Sequence, residues 1–265
     1  MNIGMKQPNK LLKPWIECYW YVEFKDVAKK TETILPNGKI EMIFALEGNY
    51  KVINRKTHKV KQAWISGIHH EPLHIQYSGS SNLVGVRFYP YGIFPFFNIP
   101  IHETVNQVEN LDAFWGTFQD EIYEALCMAK DKEQIYFLLD QFLIRKIDEG
   151  KTKHNQMVAN AIKQIKGEEA ILLPEIATSL GFTQRHFNRL FKDQTGINPK
   201  LLAQIFRFEK SFSYLYNNHS SLTISDLISE LGYYDQAHFN KEFKRFSGMT
   251  PGEYTEKAKK ASNFL

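Results

Sequence analysis

The hydrophobic pattern changes period along the chain. Over the first hundred residues or so, aromatic and β-branched positions gather in short runs, at 18–24, 34–46, 50–53, 60–65, 73–77 and 83–89. Turn formers separate several of them: Asn37-Gly38, Glu47-Gly48-Asn49 and Ser78-Gly79-Ser80. Short strands at this spacing predict a small barrel or sandwich over residues 1–100. From 101 to 150 the period lengthens. Leu111, Phe114, Phe118, Ile122 and Leu126 step by three and four, as do Ile135, Leu138, Phe142 and Ile147. That predicts a two-helix hairpin, turning at Lys130-Asp131-Lys132, that supports the front half or serves dimerisation. The polar stretch 149–155, EGKTKHN, is read as the domain boundary.

Beyond it the helical period persists and the sequence repeats itself. Residues 180–199 read LGFTQRHFNRLFKDQTGINP, and residues 231–251 read LGYYDQAHFNKEFKRFSGMTP. Phe187, Phe191, Gly196 and Pro199 recur 52 positions later as Phe239, Phe243, Gly248 and Pro251, whereas Leu180 and Gly181 recur after 51. Two copies do not make a solenoid, which needs at least three. Each copy predicts helix, tight turn, helix. Pro174 suits the start of the first helix, with Ile176, Ala177 and Leu180 on one face. In the second copy Ile224, Leu227, Ile228 and Leu231 form the stripe, with Thr223 as N-cap. Gly196 and Gly248 read as helix stops. Between the copies Leu201, Ile205, Phe208, Phe212 and Leu215 predict one amphipathic helix over 199–217. At ~1.5 Å per residue it is about 28 Å long, against ~34 Å between successive major grooves on one face of DNA.

The second helix of each copy carries the candidate chemistry. Phe187, Leu190 and Phe191 fall on one side, as do Phe239, Phe243 and Phe246. Opposite stand Arg185, Asn188, Arg189 and Lys192, matched by Ala237, Asn240, Lys241 and Lys244. Arg and Lys donate to guanine or phosphate and Asn pairs with adenine, so such a face suits a major-groove reader. A solvated helix face is the plainer alternative, and the repetition of the pattern weighs against it.

At these residues the sequence resembles the DNA-binding domain of the AraC/XylS family of bacterial transcription regulators, over about 155–265, with two helix-turn-helix units. It departs at Ile228, where the family has a small alanine, matched by Ala177 in the first unit. The stretches LPNGKIEMIF and GVRFYPYGIFPFF resemble the sensor-like, cupin-like barrel domain of one subgroup. The resemblance implies an α+β chain acting as an activator or repressor on double-stranded DNA. It implies RNA polymerase as a partner, and leaves a small-molecule effector and a homodimer open. By family position Arg185, Asn188 and Arg189, and Gln236, Asn240 and Lys241, face base edges, with Lys192 and Lys244 nearer phosphate. Arg207 matches a family arginine and reads as a structural tie.

Charge and composition refine this. Residues 152–265 hold 15 Lys and Arg against 11 Asp and Glu, while residues 1–151 hold 18 of each. The whole formal charge of +4 therefore lies with the duplicated module, as a polyanion partner requires. Two cysteines, Cys18 and Cys127, are too few for a disulfide framework or a four-thiolate zinc site. No apolar run approaches the ~20 residues of a membrane span. The N-terminus lacks the apolar core of a secretory signal, so a cytoplasmic location without membrane contact is expected.

The rival chemistry is HHEPLH at 69–74, with His58. A facial metal triad needs spaced ligands that converge on one ion. His69 and His70 are adjacent, and Pro72 interrupts the strand between His70 and His74, so solvated loop histidines and no metal are expected. Trp15, Trp20, Trp64, Phe88, Tyr89 and Tyr91 could line a pocket or fill a core. Glu41 and Arg87 could bind a ligand or tie two strands. No catalytic constellation stands out, and no cofactor is expected. The alternatives to a ligand-modulated regulator are a front half that only dimerises and a metal-dependent cupin enzyme fused to a DNA-binding tail.

Overall fold

The computed structural model describes residues 2–53, 57–167, 173–217 and 224–260, and within these no side chain of residues 153–155, 217, 224 or 258–260. Thr223 lies outside the described residues. The front half is a seven-stranded antiparallel sheet among those residues, built from β1 (Asn2–Lys6), β2 (Ile16–Ile34), β3 (Ile40–Ile53), β4 (Thr57–Lys59), β5 (Ala63–Ser66), β6 (Leu73–Phe88) and β7 (Val108–Asn110). Strand order is β1-β2-β6-β3-β5-β7, with β4 hung on β3. Two of the expected turns lie inside strands. Glu47-Gly48-Asn49 interrupts the β3–β6 register as an irregularity, and Ser78-Gly79-Ser80 lies within β6. A bulge bends a strand without ending it, which is how 40–46 and 50–53 become one element, while Ile34 closes β2.

Helices follow: α1 (Asp112–Trp115), α2 (Thr117–Cys127), α3 (Lys132–Lys146), α4 (Glu149–Lys166), α5 (Leu173–Ser179), α6 (Gln184–Thr195), α7 (Pro199–Asn217), α8 (Ile224–Glu230), α9 (Gln236–Ser247) and α10 (Pro251–Lys260). The expected hairpin is α2 and α3, and Asp131 caps α3 by accepting from the Gln134 N–H at 2.8 Å. The stretch 149–155 is no extended linker. Asp148 accepts from the Gly150 N–H at 2.9 Å and starts α4 there.

One apolar cluster runs through both halves, from Met42, Phe44 and Phe88 to Phe187, Phe208 and Phe243. A second, with Tyr50, Val52, Trp64 and Tyr77, fills the outer part of the sheet. The halves meet at specific places. The Asp148 N–H donates to the Pro95 carbonyl at 2.9 Å. The Asn37-Gly38 turn approaches Leu202 and Phe206 of α7, and the 3₁₀ turn Ile101–Thr104 lies against the end of α6.

Candidate nucleic-acid interface

The two recognition candidates, α6 and α9, are built alike. Thr183 caps α6 by accepting from the His186 N–H at 3.3 Å, and Asp235 caps α9 by accepting from the His238 N–H at 2.7 Å. Each N-cap side chain satisfies a donor that a helix start leaves unpaired. Both helices end in left-handed glycines, Gly196 at φ 80° and Gly248 at φ 78°. Phe187 and Phe191, and Phe239, Phe243 and Phe246, are buried. Phe208 of α7 packs on Phe243 and Phe246 with ring centroids 5.2 and 5.3 Å apart. Each buried ring is worth roughly 2–3 kcal/mol, which fixes the face each helix turns inward and therefore the face it leaves out.

On that outer face Arg185, Asn188, Arg189 and Lys192 of α6 are exposed, as are Gln236, Lys241 and Lys244 of α9; Asn240 is half-buried. No side chain of these eight makes a hydrogen bond or ion pair among the described residues, although the Lys244 charge helps hold the Glu253 carboxyl below its usual range, behind the hydrogen bonds from Thr250. Donors left unpaired on two matched helices are available to a ligand.

Arg207 points elsewhere. Its Nη2 donates to both carboxylate oxygens of Glu242 at 2.7 Å, and its Nε donates to Oε1 at 2.9 Å. Its guanidinium also lies 4.1 Å from the Tyr233 ring centroid. Arg207 is thus the tie between α7 and α9. The sequence reading did not single out Glu242; the one acid inside an aromatic and basic helix was the available signal. Ile228 is accommodated partly exposed at the edge of the core, while its counterpart Ala177 is buried.

A family model described as a helix-turn-helix domain matches residues 176–257. The C-terminal part of the chain is an AraC-type helix-turn-helix domain. A second model, a domain of unknown function (DUF6597), matches residues 5–110 of the front half. The chain is 30% identical over 87 residues to the lactose operon transcription activator of Staphylococcus xylosus, covering 33% of this chain and 30% of that one. It is 27% identical over 89 residues to an uncharacterized HTH-type transcriptional regulator of Bacillus subtilis, covering 34% and 11%. The Msm operon regulatory protein of Streptococcus mutans is 22% identical over 152 residues, 56% of this chain and 54% of that one. The chain thus spans between about a tenth and about half the length of these relatives. Among solved structures, ToxT from Vibrio cholerae overlaps 97% of the chain and 98% of its own at 10% identity and a TM-score of 0.47, too loose an overlap to argue from.

His58, His69, His70 and His74 each find a hydrogen-bonding neighbour, contrary to the expectation of solvated loop histidines. His69 Nε2 lies 3.0 Å from Ser66 Oγ, His70 Nε2 lies 2.7 Å from Asn106 Nδ2, and His74 Nδ1 lies 3.0 Å from Thr33 Oγ1. His58 Nε2 lies 3.3 Å from the Val108 carbonyl. Burial, with some help from the His70 charge, lowers the His69 pKa to about 4. Among the described residues no three His, Cys, Asp or Glu side chains gather as metal ligands. Glu41 and Arg87 are opposite one another in the β3–β6 register, and Arg87 Nε donates to Glu41 Oε1 at 2.7 Å, so the pair ties two strands. Trp64 and Phe88 are buried in the core, while Trp15, Tyr89 and Tyr91 border a cavity between the halves. No helix among the described residues is long and apolar enough to cross a membrane.

Proposed function

We propose that the protein is a sequence-specific DNA-binding regulator of transcription that lays α6 and α9 into successive major grooves. The observation that carries the reading is the pair of matched faces, Arg185, Asn188, Arg189 and Lys192 on α6 and Gln236, Asn240, Lys241 and Lys244 on α9. These side chains have no hydrogen-bonding or ion-pair partner among the described residues. The 19-residue helix α7 joins the two, and Arg207 fixes α9 upon it. The five cationic side chains on the two faces, Arg185, Arg189, Lys192, Lys241 and Lys244, would make binding salt-dependent by displacing counterions from phosphates. The experiment is binding of the full chain to a random-sequence duplex pool, with selection for retained sequences. Recovery of a two-part consensus supports the reading, and a flat pool defeats it.

The front half is proposed to modulate this activity. The Ile101 carbonyl and Val105 side chain abut Gly196, at the foot of α6, so a shift of the front half is felt by a recognition helix. A cavity of about 490 Å³ between the halves is edged by Trp15, Tyr89 and Tyr91 on one side and Ile162, Lys163 and Phe206 on the other. Its size suits a small-molecule effector. A regulator rather than an enzyme is the reading throughout. RNA polymerase as the recruited partner, and a second copy as dimer partner, rest on the family resemblance alone.

A further inference from the structure

The two helix-turn-helix units differ by one residue. Leu180 and Gly181 recur 51 positions later, but the N-cap Thr183 recurs 52 later as Asp235, so the second turn holds one residue more. In the first unit Phe182 directly precedes the N-cap and stacks on His186 with ring centroids 4.8 Å apart. In the second, Tyr233 takes the inner place. It is buried, with its ring against Arg207 and edge-on to Phe239 at 5.1 Å. The additional residue, Tyr234, is 92% exposed. Its backbone N–H faces His238 Nδ1 at 3.5 Å, while its phenol has no partner among the described residues.

In a major-groove reader the first residues of the recognition helix come closest to the bases. Gln236, the first residue of α9, lies two positions after Tyr234. Tyr234 precedes the helix and therefore lies outside the helical face of Gln236, Asn240, Lys241 and Lys244, at its N-terminal end. A neutral hydroxyl there has a phosphate oxygen as its natural acceptor. Resting on the DNA-binding reading, we propose that the Tyr234 phenol donates a hydrogen bond to a DNA phosphate at the edge of the groove entered by α9. The second unit thereby has a grip on the backbone that the first lacks.

The test compares the full chain with its Tyr234→Phe variant on two labelled duplexes, one of random sequence and one recovered by binding-site selection, over a range of salt concentrations. The variant is expected to bind both duplexes about fivefold to tenfold more weakly, the scale of one hydrogen bond to a charged acceptor. The salt slope should stay the same, because a neutral donor displaces no counterion. The melting temperature should stay the same, because the residue is 92% exposed. Equal binding by the variant would overturn the proposal. So would a loss confined to the selected duplex, which marks a base reader, or a loss accompanied by a lower melting temperature. A wild-type chain that binds neither duplex removes the DNA-binding reading itself, and this inference with it.

Discussion

Arg207 of α7 clasps Glu242 of α9 in a bidentate pair, with Nη2 2.7 Å from each carboxylate oxygen. The Glu242 side chain is only 4% exposed, and Gln204 Nε2 donates to it as well at 3.0 Å. A charge this buried is tolerable only while its acceptors are filled. The pair therefore sets the position of α9 on the helix that joins the two units.

Arg207→Ala should destabilise the protein by roughly 3 kcal/mol, since it strands a buried carboxylate. The double variant Arg207→Met, Glu242→Leu should recover most of that loss by removing both charges together. Urea denaturation of the single and double variants checks this.

Gln194 occupies in the first unit the place that Phe246 holds in the second. It is 1% exposed, and neither its Nε2 nor its Oε1 has a partner among the described residues. An unsatisfied buried amide costs about 1–3 kcal/mol. Gln194→Leu is therefore expected to raise stability by about 1 kcal/mol, seen as a higher urea midpoint at unchanged slope.

The burial of His69 gives the front half a pH dependence. Its pKa falls from the ordinary 6.5 to about 4 in the folded chain, so the unfolded chain binds the proton more readily between those values. Stability is fully present above pH 6.5 and declines as pH drops through about 4. His69→Gln, which keeps a partner for Ser66, should flatten that decline by roughly 3 kcal/mol in urea titrations across the window.

Lys244 is expected to grip phosphate. Lys244→Ala should weaken binding to operator and random duplex alike and reduce the salt slope by about one. Titrations at several salt concentrations, on both duplexes, check it.

Much of this architecture was legible because the deciding signals are local. Gly196 and Gly248 stop helices, Pro199 and Pro251 open the next ones, and the phenylalanine spacing aims each helix. The front half was legible in kind but not in extent. Strand β2 continues through the polar residues 25–33, where pairing with β6 rather than any hydrophobic alternation holds the chain extended. Helix α4 begins in a sequence with no apolar stripe because Asp148 caps it and its later turns bury Val158, Ala161 and Ile162. The partners of His70 and His74, Asn106 and Thr33, lie on segments that only the sheet topology brings near, whereas Ser66, the partner of His69, is three residues away in the sequence. The outward-facing donors of α6 and α9 were legible for the opposite reason, since no side chain among the described residues competes for them.

The central claim is that both helix faces read bases, and binding-site selection on Arg189→Ala and Asn240→Ala tests it most directly. Each good base contact supplies about 1–3 kcal/mol of discrimination. The account predicts that Arg189→Ala relaxes preference at one or two base pairs in one half of the consensus, and that Asn240→Ala does so in the other half. If both variants return the wild-type consensus unchanged, these faces do not read DNA sequence.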